Sequence, residues 1–330
     1  MRRLLALFGL CLLPGGCARA PLSYLDATSP IGGAIASLGW GLTGISVGVC
    51  IIVGLLLVVA IVRRRAAADT AIGPVNDRLA LRWIGAGVGV STVVLLGAAI
   101  WTLVTVHSIG EPPRNAPLTI DVVGQEWWWS VKYRAADPAR EFETADQLVI
   151  PVNVPVKIEL TSRDVIHSFW VPKLGGKMDM IPSRTNVTWL EADKIGDYRG
   201  QCSEFCGLQH ANMAFNVRVL SQADFDVWWT RQLQPAAGSP DTDAGLNTFM
   251  VRCAACHTIR GTPAGGILGP DLSHFGSRES IAADLMPNTP ENLANWIDNT
   301  QTIKPGVKMP ELHMLASEVS DVTSYLENLK

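Results

Sequence analysis

The N-terminal third of the chain contains two long apolar runs that carry no charged residue. The first extends from Ala34 to Val62 and the second from Trp83 to Val106. Each run is longer than the ~20 residues with which an α-helix crosses the hydrocarbon core of a bilayer. We therefore predict one transmembrane helix over 34–62 and another over 83–106.

Basic residues cluster between these two runs. Arg63, Arg64 and Arg65 follow the first run, and Arg78 and Arg82 precede the second. Positively charged residues beside membrane helices favour the cytoplasmic side. We therefore expect the loop between the helices to be cytoplasmic and the chain beyond the second helix to lie outside the cytoplasm.

Residues 1–20 have the form of a secretory signal peptide. Arg2 and Arg3 precede an apolar stretch, Leu4–Leu13, and small residues follow it. This order of charge, apolar core and small residues is typical of an export signal. The sequence leaves two kinds of processing open, which are cleavage by an ordinary signal peptidase and lipoprotein processing with acylation of Cys17.

Beyond the second apolar run the hydrophobic pattern changes to a period of two. Apolar and polar residues alternate from Val152 to Leu160, as they do in a half-buried strand. The same pattern recurs in four further segments, at 118–123, 147–150, 185–190 and 214–220. Several short strands separated by turns indicate a β-sandwich, which we place at 115–232.

The C-terminal part returns to helical spacing. Apolar residues recur every three or four positions in Ala244–Arg252, Pro290–Thr300 and Glu318–Leu329. We predict a small all-α domain over 244–330. The segment 233–243 contains a run rich in proline, glycine and alanine, which indicates a linker between the two domains.

Composition excludes several classes of function. The chain has 330 residues, of which 48% are hydrophobic and 17% charged, with a formal net charge of -3. This balance suits two compact domains with membrane spans and gives no indication of nucleic-acid binding. The sequence contains no glycine-rich phosphate loop and no hydrolytic triad.

Sulfur and imidazole ligands are concentrated in one segment after the predicted strands. Cys202, Cys206, His210 and Met213 lie within twelve residues, and His167 precedes them. Thiolate and thioether ligands together with imidazole favour copper. The second cysteine exceeds what a mononuclear blue-copper site needs, so we expect two bridging sulfurs and a pair of copper ions.

Two other arrangements of these cysteines need to be weighed. Exported cysteines can form a disulfide, and Cys and His also bind structural zinc. A disulfide would not explain the spacing of His210 and Met213, and zinc rarely recruits methionine. Both features favour copper.

A second redox motif follows in the predicted helical domain. Cys253, Cys256 and His257 form a C-x-x-C-H sequence, which is the attachment motif of a c-type haem. The histidine would bind iron from one side, and a methionine or histidine further along would bind from the other. We expect that second ligand to be Met309, which lies between a Pro-Gly pair and Pro310 in a rigid loop.

Other residues near Met309 could compete for the iron. Met314 and His313 are close in sequence, and Met286 is a weaker rival. We expect His274 to be a surface or propionate-side residue and not a ligand.

The copper motif resembles that of cytochrome c oxidase subunit II. The resemblance runs from Leu118 to about Trp229 and rests on the following segments: Cys-x-Glu-x-Cys-Gly-x-x-His-x-x-Met at 202–213, Asp-Val-x-His-Ser at 164–168, Trp-Trp-Trp-Ser at 127–130, Pro-x-Leu-Gly at 172–175 and Ile-Pro-x-Arg at 181–184. With the haem motif added, the chain is similar to the caa type, in which a cytochrome c domain is fused to the subunit.

This resemblance implies the fold and the ligand set. The sandwich would be a cupredoxin-like domain that holds the dinuclear CuA centre, and the C-terminal domain a class I cytochrome c. Cys202 and Cys206 would bridge the coppers. His167 and Met213 would complete one copper; His210 and the backbone carbonyl of Glu204 would complete the other. The Glu204 side chain would also reach a magnesium ion at the border with subunit I.

The resemblance also implies the function. The haem would accept electrons from cytochrome c or a quinol–cytochrome c reductase, and CuA would pass them to the oxygen-reducing haem a/CuB site of subunit I. Subunit III would complete the assembly in a bacterial inner membrane, with the redox domains on the periplasmic side. Electron transfer would be coupled to proton translocation. Trp127 would be the residue through which electrons enter the copper domain; the alternative is that it packs the sandwich.

A different class of function remains possible from the sequence. A membrane-anchored copper and haem carrier could serve another terminal reductase. Co-purification with a large integral subunit that contains haem would distinguish the oxidase from the carrier.

Overall fold

The computed structural model describes residues 20–66, 77–113, 115–236 and 243–330. The expected signal peptide, apart from its last residue, and most of the expected linker lie outside this part of the chain. The described residues form two compact units, one of residues 33–110 and one that contains residues 111–330.

Two long helices account for the apolar N-terminal third. The first, α1, covers Pro30–Ala66 and the second, α2, covers Asp77–Ile109. Both are long and apolar enough to cross a membrane. Each extends beyond the predicted 34–62 and 83–106, because the apolar pattern marks the hydrocarbon depth whereas helical hydrogen bonding continues into flanking residues.

Polar side chains on these helices are satisfied within the helix. The hydroxyl groups of Thr43, Thr92 and Thr102 each donate a hydrogen bond to the carbonyl four residues earlier, at 2.8–2.9 Å. A hydroxyl bonded in this way brings no unsatisfied donor into an apolar environment. The large apolar side chains of both helices are mostly exposed, as expected of helices that face lipid.

The next part of the chain is a β-sandwich followed by a helix. Its elements, in chain order, are β1 Leu118–Gln125, β2 Trp128–Arg134, β3 Phe142–Ala145, β4 Gln147–Pro151, β5 Val156–Ser162, β6 His167–Phe169, β7 Met178–Met180, β8 Asn186–Leu190, β9 Gly196–Gln201, β10 Ala214–Leu220 and α3 Gln222–Gln232. Short 3-10 turns lie at Pro138–Arg140 and His210–Asn212.

Two main sheets form the sandwich. One has the order β3-β2-β1-β5-β8 and the other the order β4-β10-β9. Most neighbours are antiparallel, but β1 pairs with β5 and β4 with β10 in parallel. A small β6–β7 ribbon pairs His167 with Met180 and places one candidate ligand beside the sheets.

Aromatic side chains fill the sandwich core. Trp129, Phe169 and Phe215 are fully enclosed, with ring centroids 4.8–6.1 Å apart. A second group at the other end joins Tyr133 and Phe142 to the tryptophans of α3 at 4.9–5.6 Å. These large side chains fix the two sheets relative to each other, because offset and edge-on aromatic pairs have preferred geometries.

Several elements differ from the predictions. The strand predicted from Val152 begins at Val156 because Asn153 has a φ of +57° and Pro155 lacks an amide donor. Strands β2, β3, β6, β7 and β9 and helix α3 were not predicted. Consecutive aromatic residues conceal the alternation in β2, whereas α3 could have been found from the capping residue Ser221, whose hydroxyl accepts from the Asp224 amide.

The C-terminal domain is a small group of helices. Its elements are α4 Asp243–Arg252, a 3-10 turn at Phe275–Ser277, a short hairpin of β11 Ser280–Ile281 and β12 Met286–Pro287, then α5 Pro290–Asp298, α6 Thr300–Ile303 and α7 Ala316–Glu327. The three predicted helices are therefore present, and every limit lies within two residues of the predicted one. Its own apolar core contains Phe249, Leu293 and Val322.

A glycine allows the first and last helices of this domain to approach closely. A Cβ added to Gly245 in α4 would lie 2.4 Å from the carbonyl oxygen of Asp321 and 2.5 Å from the Cβ of Tyr325, both in α7. We predict that Gly245→Ala lowers the free energy of unfolding by about 1–3 kcal/mol, since the helices must separate.

Thermal unfolding of the full chain in detergent, followed by haem absorbance, would measure this effect. Gly265→Ala is the control, because its added Cβ meets nothing within 4 Å, and it should change stability by less than about 0.5 kcal/mol. Equal effects from the two substitutions would contradict the packing argument.

Candidate functional site

The sequence-predicted copper ligands converge at one end of the sandwich. Cys202 directly follows β9, Met213 directly precedes β10, and His167 begins β6. The Sγ atoms of Cys202 and Cys206 are 3.7 Å apart. Cys202 Sγ lies 3.9 Å from His167 Nδ1, and Cys206 Sγ lies 3.8 Å from Met213 Sδ.

The remaining two predicted donors are equally close to the cysteine sulfurs. His210 Nδ1 lies 3.6 Å from Cys206 Sγ, and the carbonyl oxygen of Glu204 lies 3.3 Å from Cys202 Sγ. All six predicted residues therefore contribute a donor atom within 4 Å of a sulfur. His167, Cys202 and Cys206 are also the one cluster of metal-binding type found among the described residues.

These spacings fit metal ligation and do not fit a disulfide. A disulfide bond has a length of about 2.0 Å, whereas the two sulfurs are 3.7 Å apart. Ligands at about 2.0–2.3 Å from a tetrahedral metal ion are separated from one another by about 3.3–3.8 Å. The donors are thus already arranged as they would be around metal, and the sulfur-rich set suits copper.

The pKa values of the two thiols shift in opposite directions. The hydrogen bond between the thiols lowers the pKa of Cys202 well below its ordinary value, and the contact with the His167 ring adds to this effect, despite the burial of Cys202. The same hydrogen bond, together with burial, raises the pKa of Cys206.

His167 is oriented by a carboxylate. Its Nε2 lies 2.9 Å from Asp164 Oδ1, which leaves Nδ1 directed to the cysteine sulfurs. Asp164 Oδ2 also accepts the Glu126 amide at 2.8 Å. Burial raises the pKa of Asp164, but these bonds outweigh it and lower the pKa to about 2. A carboxylate in this position fixes the ring and strengthens the histidine as a ligand.

The loop that carries the ligands is closed by its own backbone. The Cys202 amide donates to the Met213 carbonyl at 2.9 Å, and Gln201 Nε2 donates to the same carbonyl at 3.2 Å. Gly207 turns the loop with a φ of +108°, a conformation that disfavours side chains. The predicted copper ligands are therefore held in place without metal, as a site of nearly constant geometry requires.

The second candidate site is a cavity of about 480 Å³ between the C-terminal domain and the sandwich. This volume lies within the range of about 300–1,000 Å³ that is usual for small-molecule and cofactor sites. Cys253, Cys256, His257 and Met309 all line it, together with apolar residues such as Phe249. The structure thus brings together the four residues that the sequence indicated for haem.

The geometry of His257 suits an iron ligand. Its Nδ1 lies 2.9 Å from the Pro270 carbonyl, so a proton on Nδ1 leaves the lone pair of Nε2 free. Burial lowers the pKa of His257 and favours this neutral form. Gly269 lies against the ring, where an added Cβ would come within 2.5 Å of it, so only glycine leaves room for the imidazole in this position.

The rival ligands lie elsewhere. Met314, His313 and Met286 are absent from the residues that line the cavity, and Met314 and Met286 pack against the apolar core. Among the described residues, Met309 is therefore the methionine that borders the haem cavity.

One buried atom in the cavity wall suits the acidic edge of a haem. Arg278 lines the cavity, and its Nε has no hydrogen-bond partner in the described part of the chain. A propionate group would satisfy it.

His274, by contrast, does not border the cavity. It is buried, and its Nε2 lies 3.2 Å from the Gln234 carbonyl, which corrects the expectation of a surface or propionate-side residue.

Trp127 lies between the two sites. Its Nε1 donates a hydrogen bond to the carbonyl of Cys206 at 2.9 Å, and the residue also lines the cavity. Only 7% of its surface is exposed, because the C-terminal domain covers the face of the sandwich that carries it. The next tryptophan but one, Trp129, is fully buried and packs the core, with its ring 6.3 Å from that of His167.

Two family models match the chain. "Cytochrome C oxidase subunit II, periplasmic domain" matches residues 135–220, and "Cytochrome c" matches residues 243–330. Among curated proteins, cytochrome c oxidase subunit 2 of Bacillus sp. (strain PS3) is 34% identical over 72% of this chain and 71% of its own length. The chain belongs to the cytochrome c oxidase subunit II family.

Other relatives agree in family and differ in coverage. Subunit 2 of Alkalihalophilus pseudofirmus is 38% identical over 64% of this chain, which spans 61% of that relative's length. Subunit 2 of Bacillus subtilis is 28% identical over 99% of this chain and 98% of its own length. The solved periplasmic domain of subunit II from Bradyrhizobium japonicum is 37% identical and covers 37% of this chain and 96% of its own, with a TM-score of 0.34.

Family membership settles the general character of the chain. It is a membrane-anchored oxidase subunit with a CuA-type copper domain and a c-type haem domain, and it assembles with other oxidase subunits.

Sequence reasoning missed three residues of the sites. Asp164 could have been found from its position three residues before His167. No local sequence signal marks Arg278, or Lys304, which bonds to Trp127.

The bond between Asp164 and His167 leads to a prediction for copper affinity. Asp164→Asn removes the negative charge that orients His167, and we expect the apparent dissociation constant for copper to rise about 10–100-fold. Competition with a copper chelator, read from bound copper, would measure it. Asp226→Asn is the control, since Asp226 is exposed on α3 and its carboxylate accepts a hydrogen bond from Gln222 of the same helix. Unchanged copper retention in Asp164→Asn would contradict this role.

Proposed function

We propose that this chain conducts electrons from its c-type haem through CuA to the oxygen-reducing site of a partner subunit. The observation that carries the proposal is the position of Trp127, which borders the haem cavity on one side and bonds the copper loop on the other. When bound, haem and the copper pair would each accept and release one electron. Oxygen reduction would occur in the partner.

We assign the copper ligands as the resemblance implies. The two sulfurs of Cys202 and Cys206 would bridge the coppers. His167 with Met213, and His210 with the Glu204 carbonyl, would complete the two coordination shells. The spacings of 3.3–3.9 Å between these donors and the cysteine sulfurs support the assignment. No donor has to move far, because the loop backbone is already closed.

We assign the haem to Cys253, Cys256, His257 and Met309. The cysteines would form the thioether links and the two others would bind iron. The Nδ1 bond of His257 to Pro270 supports its orientation, and the cavity wall supports Met309 over its rivals.

The chain would work as part of a larger assembly. We propose that subunit I with haem a and CuB, and subunit III, are its membrane partners, and that cytochrome c or a quinol–cytochrome c reductase supplies electrons. The redox domains would lie on the periplasmic side of the bacterial inner membrane, and electron transfer would be coupled to proton translocation. The Glu204 carboxylate, which forms no hydrogen bond or ion pair with any residue that the structure describes, is free to bind magnesium at the border with subunit I.

The domain limits of 115–232, 233–243 and 244–330 remain our proposal for the division of the exported part. The two apolar cores support it, since the sandwich core and the core around Phe249 share no residue.

Metal and haem analysis with electron paramagnetic resonance of the purified complex tests the function directly. We expect two coppers and one c haem in this chain, and a hyperfine pattern in which one unpaired electron couples equally to both copper nuclei. Cys206→Ser should abolish that pattern and leave the haem spectrum intact. A single mononuclear copper signal, or copper-free material with full oxidase turnover, would contradict the proposal.

The assignment of Met309 has its own test. Met309→Ala should remove the thioether ligand and convert the haem to a form that binds external ligands such as cyanide readily. Met314→Leu is the matched control, because Met314 does not border the cavity, and its haem should remain unreactive. Ligand binding in the Met314 variant alone would reverse the assignment.

The membrane-anchored carrier is the alternative. Isolation with a large integral subunit that contains low-spin and high-spin haem supports the oxidase. Recovery of this chain alone, with copper and haem intact, would support the carrier.

A further inference from the structure

The sandwich and the C-terminal domain meet in a seam directly over the copper loop. Gln209 Nε2 donates to the Pro305 carbonyl at 2.8 Å, and the Ala214 amide donates to the Ala283 carbonyl at 3.2 Å. Gln209 and Ala214 are neighbours of copper ligands, whereas Pro305 and Ala283 belong to the haem domain. The seam therefore lies between the two candidate redox sites.

A lysine lies at the centre of this seam. Lys304 is only 2% exposed, and its Nζ donates hydrogen bonds to the carbonyls of Trp127 and Ala282, each at 2.9 Å. One acceptor is in the copper domain and the other in the haem domain. Lysine is almost never buried so completely unless its charge is paired, which indicates that its position serves a purpose.

The charge of Lys304 has a counterpart across the seam. Asp146, in the turn between β3 and β4, interacts with the charges of Lys304 and of Arg278. Its Oδ1 accepts the Trp129 amide at 2.8 Å. Burial raises the pKa of Asp146 to about 6, and burial lowers the pKa of Lys304 to about 8. The attraction between the two charges opposes both of these shifts.

The ring of Trp127 lies against the loop that follows Lys304. A Cβ on Gly306 would be 3.6 Å from the Trp127 ring and 3.4 Å from Leu208. Gly306 lies three residues before Met309, the residue assigned to iron. Lys304 therefore bonds to the main chain of Trp127, and Gly306 lies against the ring of Trp127. We call the wall of the cavity that carries Met309 its methionine side.

Other charge pairs at the seam lie at its edge. Arg218 pairs with Glu279, whose side chains are 38% and 49% exposed, and Arg199 pairs with Asp284. Lys308, whose side chain is 66% exposed, lies 3.4 Å from Asp164. Exposed pairs of this kind contribute little to association. The buried Lys304 is different, because loss of one partner of a buried charge leaves the other unpaired.

We propose that Lys304 is a positioning residue that locks the haem domain onto the copper domain, so that the methionine side of the haem cavity faces Trp127. This rests on the proposed function, since it assigns Lys304 to the transfer from haem to CuA. The lysine contacts neither haem nor copper. It acts through the carbonyl of Trp127 and the charge of Asp146.

The test compares Lys304→Met with the wild type in the purified oxidase complex. Hydrogen exchange of the Ala214 amide, which bonds across the seam, should accelerate about ten-fold or more as local opening becomes easier. Transfer from photoreduced haem c to CuA should slow several-fold, because the rate of electron transfer falls as the distance between the two redox groups grows. The copper resonance, the haem spectrum and the exchange of α4 and α7 should stay unchanged.

Two further variants make the result decisive. Asp146→Asn removes the counterpart charge from the copper side and should show the same two effects. Arg218→Gln, at the exposed edge of the seam, should change neither by more than about two-fold. Unchanged exchange and transfer in Lys304→Met would overturn the proposal, as would faster exchange throughout the haem domain with Asp146→Asn unaffected. Absence of haem-to-CuA transfer in the wild type would instead refute the proposed function.

Discussion

Two sulfur atoms held close together without a bond determine the character of the exported domain. Cys202 and Cys206 place their sulfurs 3.7 Å apart. Both belong to the loop 202–213, which is closed by a hydrogen bond from the Cys202 amide to the Met213 carbonyl. Because this closure needs no metal, the site is preorganised, and a change of charge at the metal would require little movement of the protein. The aromatic core beneath it, with Trp129 beside the His167 ring, prevents the loop from collapsing.

The same logic of fixed geometry extends to the haem domain. A linker alone would keep the domains near each other and would leave their orientation undefined. Here the tethered domain instead packs against the copper loop and buries Trp127. The orientation is selective because hydrogen bonds to Lys304, Gln209 and Ala214 can all form in only one arrangement.

Much of this could be predicted from the sequence, and the remainder could not for identifiable reasons. The ligands in Cys202–Met213 and the C-x-x-C-H motif are local patterns whose spacing reflects metal and haem chemistry. The helices 244–252 and 318–329 have clear apolar periodicity. Strand β2 was concealed by the two consecutive tryptophans at its start, Trp128 and Trp129. The strand predicted from Val152 was shortened by Asn153 and Pro155. The burial of Lys304 could not be predicted from the sequence. It depends on a contact with Trp127 in the other domain, 177 residues away in the chain.

Burying a lysine between two domains costs the free energy of desolvating its charge. Its location is therefore informative. An apolar residue at position 304 would pack against the seam without the cost of desolvating a charge and would bind less selectively, since apolar contacts tolerate rotation and sliding. A lysine whose Nζ must reach two carbonyls at 2.9 Å tolerates neither. Transfer between redox groups depends more on a fixed distance than on strong association. The buried charge therefore lowers the stability of the contact but favours a single orientation of the two domains. It does so beside Trp127, which lines the haem cavity and bonds to the copper loop.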